Sequence, residues 1–207
     1  MRQGNKPLRK GSKLDAPLIV RAAFEVLDDH GFDGLSLRLV ADSLDVQTPA
    51  LYWHVRNKET LVSLMATSLS EAAGRAKSKG HGWREKLTFL ARSLRREMLL
   101  RRDSARLMLA AAPLDSVESL ARRLATPLID SGLTARLALS YHASVVAYTM
   151  GWVGYEQSQA MHDFLTHIID FEESFETGLQ AMVSGFVGPE VMNDKASSLA
   201  CGLRPLQ

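Results

Sequence analysis

Two helix-start signals, Ser36 and the pair Thr48-Pro49, stand so close together that the chain between them has room only for a short helix and a tight turn. The Ser36 hydroxyl can accept a hydrogen bond from one of the orphan N–H groups of a first helical turn. Val40, Ala41 and Leu44 then fall at i, i+1 and i+4, one narrow apolar stripe, while Arg38 and Asp42 point elsewhere. Asp45 and Val46 make the turn. Thr48 is a good cap and Pro49 suits the first helical position, so a second helix starts there. Leu51 and Val55, at i and i+4, anchor it and leave Thr48, Ala50, Trp53 and His54 on its outer side.

Helix, short turn, helix is the geometry that lays a second helix in the major groove of DNA. A buried pairing role would not need so many polar and aromatic groups on so short a segment. Asn57 is a further cap, and Lys58 falls in the first turn of the following helix, where an ammonium can meet a phosphate.

The run LYWHVRNK, with RLVADSLDV before it, resembles the DNA-binding motif of the tetracycline-repressor (TetR) family, and the likeness begins near Asp15. It extends into RRDSARLMLAAAP (Arg101 to Pro113) and YTMGWVGYEQ (Tyr148 to Gln157), which are similar to stretches of the tetracycline-repressor-like subgroup. The resemblance implies an all-α fold: a three-helix helix-turn-helix DNA-binding head over residues 15–60, a helical ligand-binding and dimerisation body over 61–207, and a basic flexible tail over 1–14. It further implies a homodimer on double-stranded operator DNA, with repression relieved by a small-molecule inducer.

Within the head, Arg38 takes the place of a guanine-reading arginine, whose guanidinium can engage O6 and N7 together. Thr48, Pro49 and Ala50 occupy the base-facing start of the recognition helix, where their small size favours contact with a thymine methyl. Ser36, Gln47, Tyr52, Trp53, His54 and Lys58 complete the DNA-facing set, the aromatic and basic ones meeting phosphate and sugar. Tyr52 also reads as partly core. Leu37, Gln47 and Thr48 depart from the family's hydroxyl, acidic and amide residues, so the docking mode carries over and the operator sequence does not.

The body departs further. The family's magnesium-binding histidine aligns with Met108, its neighbouring threonine and arginine with Ala111 and Ala112, and an acidic residue of the central helix with Tyr155. Magnesium takes oxygen ligands and keeps part of its water, which a thioether and methyl groups cannot supply, so no cofactor or metal is expected. An amide and an aromatic ring align with Leu90 and Leu94. The expected pocket, formed by Leu90, Leu94, Met108, Ala112, Ala147 and Tyr155, is therefore apolar and takes a mostly hydrophobic, uncharged or weakly polar molecule. Leu90, Leu94 and Met108 also read as ordinary core.

Twenty-five Lys and Arg against 23 Asp and Glu leave a formal charge of only +2, so DNA affinity must come from a localised patch. Residues 1–13 hold five basic and no acidic residues, a solvated tail or a minor-groove arm. They lack the apolar run of a secretory signal. Together with the single Cys201, and with no apolar stretch near the roughly 20 residues of a membrane span, this points to the cytoplasm. No phosphate-binding loop, dinucleotide fingerprint, nucleophile elbow or zinc-hydrolase motif is present, so an enzyme is not expected.

Helical spacing runs along the rest of the chain, over Asp15 to His30 in the head with Gly31 as its stop, from Lys58 toward Gly74, and over Trp83 to Leu100. Lys77 to Gly82 reads as a loop. Pro113, Pro127 and Gly132 punctuate short helices near Ser104 to Ala111 and Asp115 to Asp130. In Thr134 to Gln157 a seam of small residues, Ala143, Ala147, Gly151 and Gly154, admits close approach of another helix. Phe171, Phe175, Leu179, Met182 and Phe186 form an apolar stripe that must be covered. These two helices either form a four-helix bundle across a dimer or pack inside one subunit. Arg92, Arg95, Arg96, Arg101, Arg102 and Arg106 have few acids nearby in sequence and read as a solvated face. His142 reads as a core or pocket residue. Asp163, His167 and Asp170, at i, i+4 and i+7, leave an alternative of a metal-responsive regulator.

Overall fold

The computed structural model describes residues 14–75, 80 and 82–188. The basic tail over 1–13, most of the Lys77–Gly82 loop and Cys201 lie outside the described residues. Ten helices and no strands make up the described residues, in keeping with the all-α expectation.

Helix α1 (Ala16–Gly34) starts where Asp15 Oδ1 accepts the Leu18 N–H at 2.9 Å. Its helical course breaks at Gly31, whose φ of 72° suits a residue without a Cβ. The stop expected there is real, and one short turn follows before the chain leaves. Ser36 caps α2 (Leu37–Ser43) by accepting the Leu39 N–H at 3.3 Å. Asp45, at φ 55°, reverses the chain, a conformation that a short polar side chain tolerates.

The second motif helix differs from the sequence expectation. In α3 (Thr48–Leu51), Gln47 rather than Thr48 holds the cap position, without a side-chain bond, and only four residues are regular helix. Turns carry the chain onward, with the Val55 N–H still bonded to the Leu51 carbonyl at 2.8 Å. Asn57 then caps α4 (Lys58–Arg75) through the Thr60 N–H at 2.8 Å.

These four helices enclose one core of Ile19, Leu27, Leu35, Val40, Leu51, Val55 and Leu61, all essentially without solvent contact. It reaches along α4 to Leu69 and takes in Leu107 from the body. Leu14, assigned to the flexible tail, packs against it. The division expected between residues 60 and 61 thus falls inside an unbroken helix.

The body contains α5 (Trp83–Leu99), α6 (Ser104–Ala110), α7 (Val117–Ile129), α8 (Ala135–Gln157), α9 (Gln159–Leu165) and α10 (Phe171–Gly185). Pro127 sits inside the last turn of α7, where the carbonyl it leaves without a helical donor belongs to the exposed Arg123. Phe175 and Leu179 of α10 are buried with Leu87, Val145 and Leu137 of α5 and α8. The middle of the apolar stripe is therefore covered within the subunit, while Phe171, Met182 and Phe186 are half-buried. The small-residue seam is not covered: Ala143, Ala147 and Gly151 are exposed, while Gly154 turns inward to Ala105 of α6.

Candidate functional site

The face of the helix-turn-helix that does not pack inward is open. Leu51 and Val55 are fully buried, whereas Trp53 is 90% exposed and Tyr52 52%. Gln47, Pro49 and His54 are exposed too, with Thr48 and Ala50 half-buried between them. Tyr52 and Trp53 thus stand side by side in solvent on the face that the sequence analysis expects to meet DNA. Tyr52 belongs to this surface rather than to the core. Arg38 is exposed, its Nε only loosely set against Asp42 at 3.9 Å, and its guanidinium remains available.

Two members of the set expected to face DNA are engaged within the chain. The Ser36 oxygen accepts the Leu39 N–H. Lys58 is half-buried, with Nζ donating to the Phe32 carbonyl at 3.2 Å and lying 5.2 Å from the centre of the Phe32 ring. Its ammonium braces the end of α1 instead of standing free.

Four of the six arginines expected on a solvated face, Arg92, Arg95, Arg101 and Arg106, pair with acids far away in sequence. Arg92 is held by Glu176 at 2.6 Å, and the buried Arg95 by Glu156 and Glu172. Arg101 meets Asp28 at 2.8 Å and Arg106 meets Asp33 at 2.8 Å, both on α1. The Arg106 guanidinium holds the Asp33 carboxyl below its ordinary range. Asp103 accepts the Phe32 N–H at 2.8 Å, and the Arg102 N–H donates to Asp28 at 3.0 Å. A Cβ on Gly31 would meet Asp103 Oδ2 at 2.9 Å, so the absence of a side chain lets α1 and α6 close together. The start of α6 is tied to α8 as well, because Gln157 bonds to Ser104, the Ala105 N–H and the Arg101 carbonyl.

Beyond α6 lies a cavity of about 940 Å³ between α4, α5, α7 and α8. Leu90, Leu94, Met108 and Ala112 line it, as do Ala111, Val146, Met150 and His142. Ala147 and Tyr155 do not: α8 turns His142, Val146 and Met150, at i, i+4 and i+8, toward the cavity, which leaves Ala147 outside. Tyr155 is exposed, with its ring edge-on to Trp152 at 6.3 Å. The i, i+4, i+8 spacing of His142, Val146 and Met150 is present in the sequence, but Ala143, Ala147 and Gly151 share it, so spacing alone does not mark which set faces inward. The cavity-facing Ser63, Thr67 and Ser70 of α4 carry no comparable signal.

The metal alternative is corrected. Asp163 lies in α9, which ends before His167, and Asp170 is occupied in capping α10 through the Glu173 N–H at 2.7 Å. The helical face that would have aligned them does not exist, and no group of three or more His, Cys, Asp or Glu among the described residues could hold a metal ion. No helix among these residues is long and apolar enough to cross a membrane.

Comparison with known proteins agrees with this geometry. Residues 19–65 match the family described as bacterial regulatory proteins, tetR family, and residues 77–165 match the tetracyclin repressor-like C-terminal domain. The class A tetracycline repressor protein from transposon 1721 of Escherichia coli is 34% identical over 152 residues, spanning 71% of this chain and 69% of that protein. Among solved structures, a TetR variant from Acinetobacter baumannii AYE in complex with minocycline superposes with a TM-score of 0.70 at 30% identity, covering 84% of this chain and 97% of that one. BioQ with its natural double-stranded DNA operator gives a TM-score of 0.64 at 29% identity, over 84% of this chain and 98% of that one.

Proposed function

Because the chain belongs to the TetR family of bacterial regulatory proteins, and so is a DNA-binding transcription regulator rather than an enzyme, we propose that it is a repressor that grips a palindromic operator as a homodimer and is released by a mostly hydrophobic small molecule. The observation that carries the DNA half of this reading is the open Gln47–His54 face, with Trp53 almost wholly exposed at its end. Arg38, Gln47, Thr48, Pro49 and Ala50 are the groups assigned to base edges. Ser36, Tyr52, Trp53, His54 and Lys58 are assigned to the backbone, Lys58 chiefly by holding α1 in place. Relatives bound to operator DNA and to minocycline support the two partner classes in outline.

The exposed small-residue face of α8 supports the dimer, since Ala143, Ala147 and Gly151 let a second backbone approach closely. Paired heads then meet half-sites separated by one helical turn or a multiple. The ligand half rests on the cavity and on α6. The end of this helix contributes Met108 and leads into Ala111 and Ala112 at the cavity wall, its Leu107 sits in the head core, and its first turn is bonded to α1. A ligand that prefers one position of α6 therefore also prefers one position of the heads, with a coupling of typically about 1–3 kcal/mol. By reciprocity, operator DNA weakens ligand binding by the same factor. A regulator of this kind works where the DNA is, in the cytoplasm.

Selection from a randomised duplex library, followed by gel-shift titration of the recovered sequences across salt concentrations, tests the reading. An inverted repeat bound with steeply salt-dependent affinity is the expected result. Failure to enrich any sequence, or affinity indifferent to salt, would refute it.

A further inference from the structure

Resting on that reading of the cavity, we propose that His142 is the residue that selects the ligand, by engaging a hydroxyl group on a neutral, elongated molecule that otherwise lies against leucine, methionine and valine side chains. The inner wall formed by α8 consists of His142, Val146 and Met150. Val146 and Met150 pack with Leu94 and Met98, an apolar end without hydrogen-bonding capacity beyond thioether sulfur. His142 lies two helical turns away, about 12 Å along the axis. A molecule touching both ends is therefore elongated, with a span of about 12 Å.

Most other polar groups around this space are already committed. The Ser63 hydroxyl accepts the Ala112 N–H at 3.2 Å, Ser70 donates to the Ala66 carbonyl at 3.0 Å, and Arg123 is paired with Asp115 at 2.6 Å. Lys86 donates to the Pro127 carbonyl at 2.9 Å. Glu71 and Arg75 are exposed at the rim. What remains facing the interior is Thr67 and the Ser63 O–H on α4, and His142 on α8.

The imidazole makes no hydrogen bond or ion pair with any described residue. No buried side-chain nitrogen or oxygen among the described residues lacks a partner, so its ring nitrogens border open cavity rather than packed wall. Burial pushes the His142 pKa below its ordinary value, which keeps the ring neutral. A neutral imidazole offers one donor and one acceptor, and a hydroxyl can answer either. A carboxylate would require the imidazolium that burial opposes, and an ammonium would lose its water against aliphatic walls.

Pyrene and 1-hydroxypyrene, which differ only in the hydroxyl, provide the test through their own fluorescence. The native protein is expected to bind 1-hydroxypyrene about three- to tenfold more tightly than pyrene, the range of one net hydrogen bond. In His142→Leu that preference disappears while pyrene affinity stays within about twofold, and His142→Gln, which keeps a donor and an acceptor, restores part of it. Circular dichroism establishes that each variant is folded, and His142→Phe replaces the leucine variant if that one is not. A hydroxyl preference that survives in His142→Leu, or is lost in Thr67→Val instead, overturns the assignment of His142. Absence of pyrene binding to the native protein, or pyrene binding unaffected by filling the cavity with Ala111→Trp, overturns the cavity reading itself, a result distinct from loss of the hydroxyl preference alone.

Discussion

Replacing Trp53 by alanine separates the stability of the head from its affinity for DNA. The indole is 90% exposed in the free subunit, so little packing is lost with it. Surface changes of this kind alter stability by about 0.5 kcal/mol or less, which moves Tm by about 2 °C or less for a chain of this size. On the operator the same side chain has an aromatic surface of up to about 250 Å² to offer. Covering about half of it against a sugar-phosphate wall is worth about 2–3 kcal/mol per head, at about 25 cal/mol per Å². Two heads acting together would lose about twice that, and the cost of ordering the contacts reduces the expected weakening to about 100- to 1,000-fold. Fluorescence anisotropy with a selected operator measures the affinity, and thermal denaturation of the free protein measures the stability. Operator affinity unchanged in Trp53→Ala, or a fall in Tm matching that of a core truncation, would refute the reasoning.

Arg38→Ala is expected to cost about 1–3 kcal/mol per half-site and to relax preference at one base position, read by repeating the operator selection with the variant. Asp103→Ala removes the acceptor of the Phe32 N–H at the α1–α6 junction, so operator affinity should be largely retained while the release produced by saturating inducer shrinks severalfold in a titration of the complex. His142 makes stability pH-dependent. Its folded pKa lies below the ordinary value near 6.5, so the unfolded chain takes up more protons as pH falls through about 6.5; the contribution to stability is fully present above about 6.5 and is lost as pH falls from there toward the folded value. Urea midpoints at pH 7.5 and 5.5 should differ less in His142→Leu than in the native protein.

Short-range signals made the head legible before its structure. Ser36, Asn57 and Gly31 act as caps and stop within a turn of where they stand, and the i, i+4 pair Leu51 and Val55 reaches the core. The regular part of α3 is shorter than expected because the helix gives way to turns at Tyr52, a boundary that spacing does not mark. In the body, Leu90, Leu94, Met108 and Ala112 do meet around one cavity. Ala147 and Tyr155 do not, since which face of α8 turns inward is settled by packing against α5 and α7 rather than by α8 alone. The arginine pairs were invisible for the same reason. Asp28 and Asp33 are more than seventy residues from Arg101 and Arg106, and only the docking of α6 on α1 brings them together.

Hydroxyl-radical footprinting on the selected operator examines the DNA-binding surface most directly. Two protected patches on one side of the duplex are expected, about 34–36 Å apart or a multiple of that spacing, both lost at high salt and both weakened together in Trp53→Ala. Protection at a single patch, or a footprint indifferent to that substitution, would contradict a paired recognition surface built from Gln47 to His54.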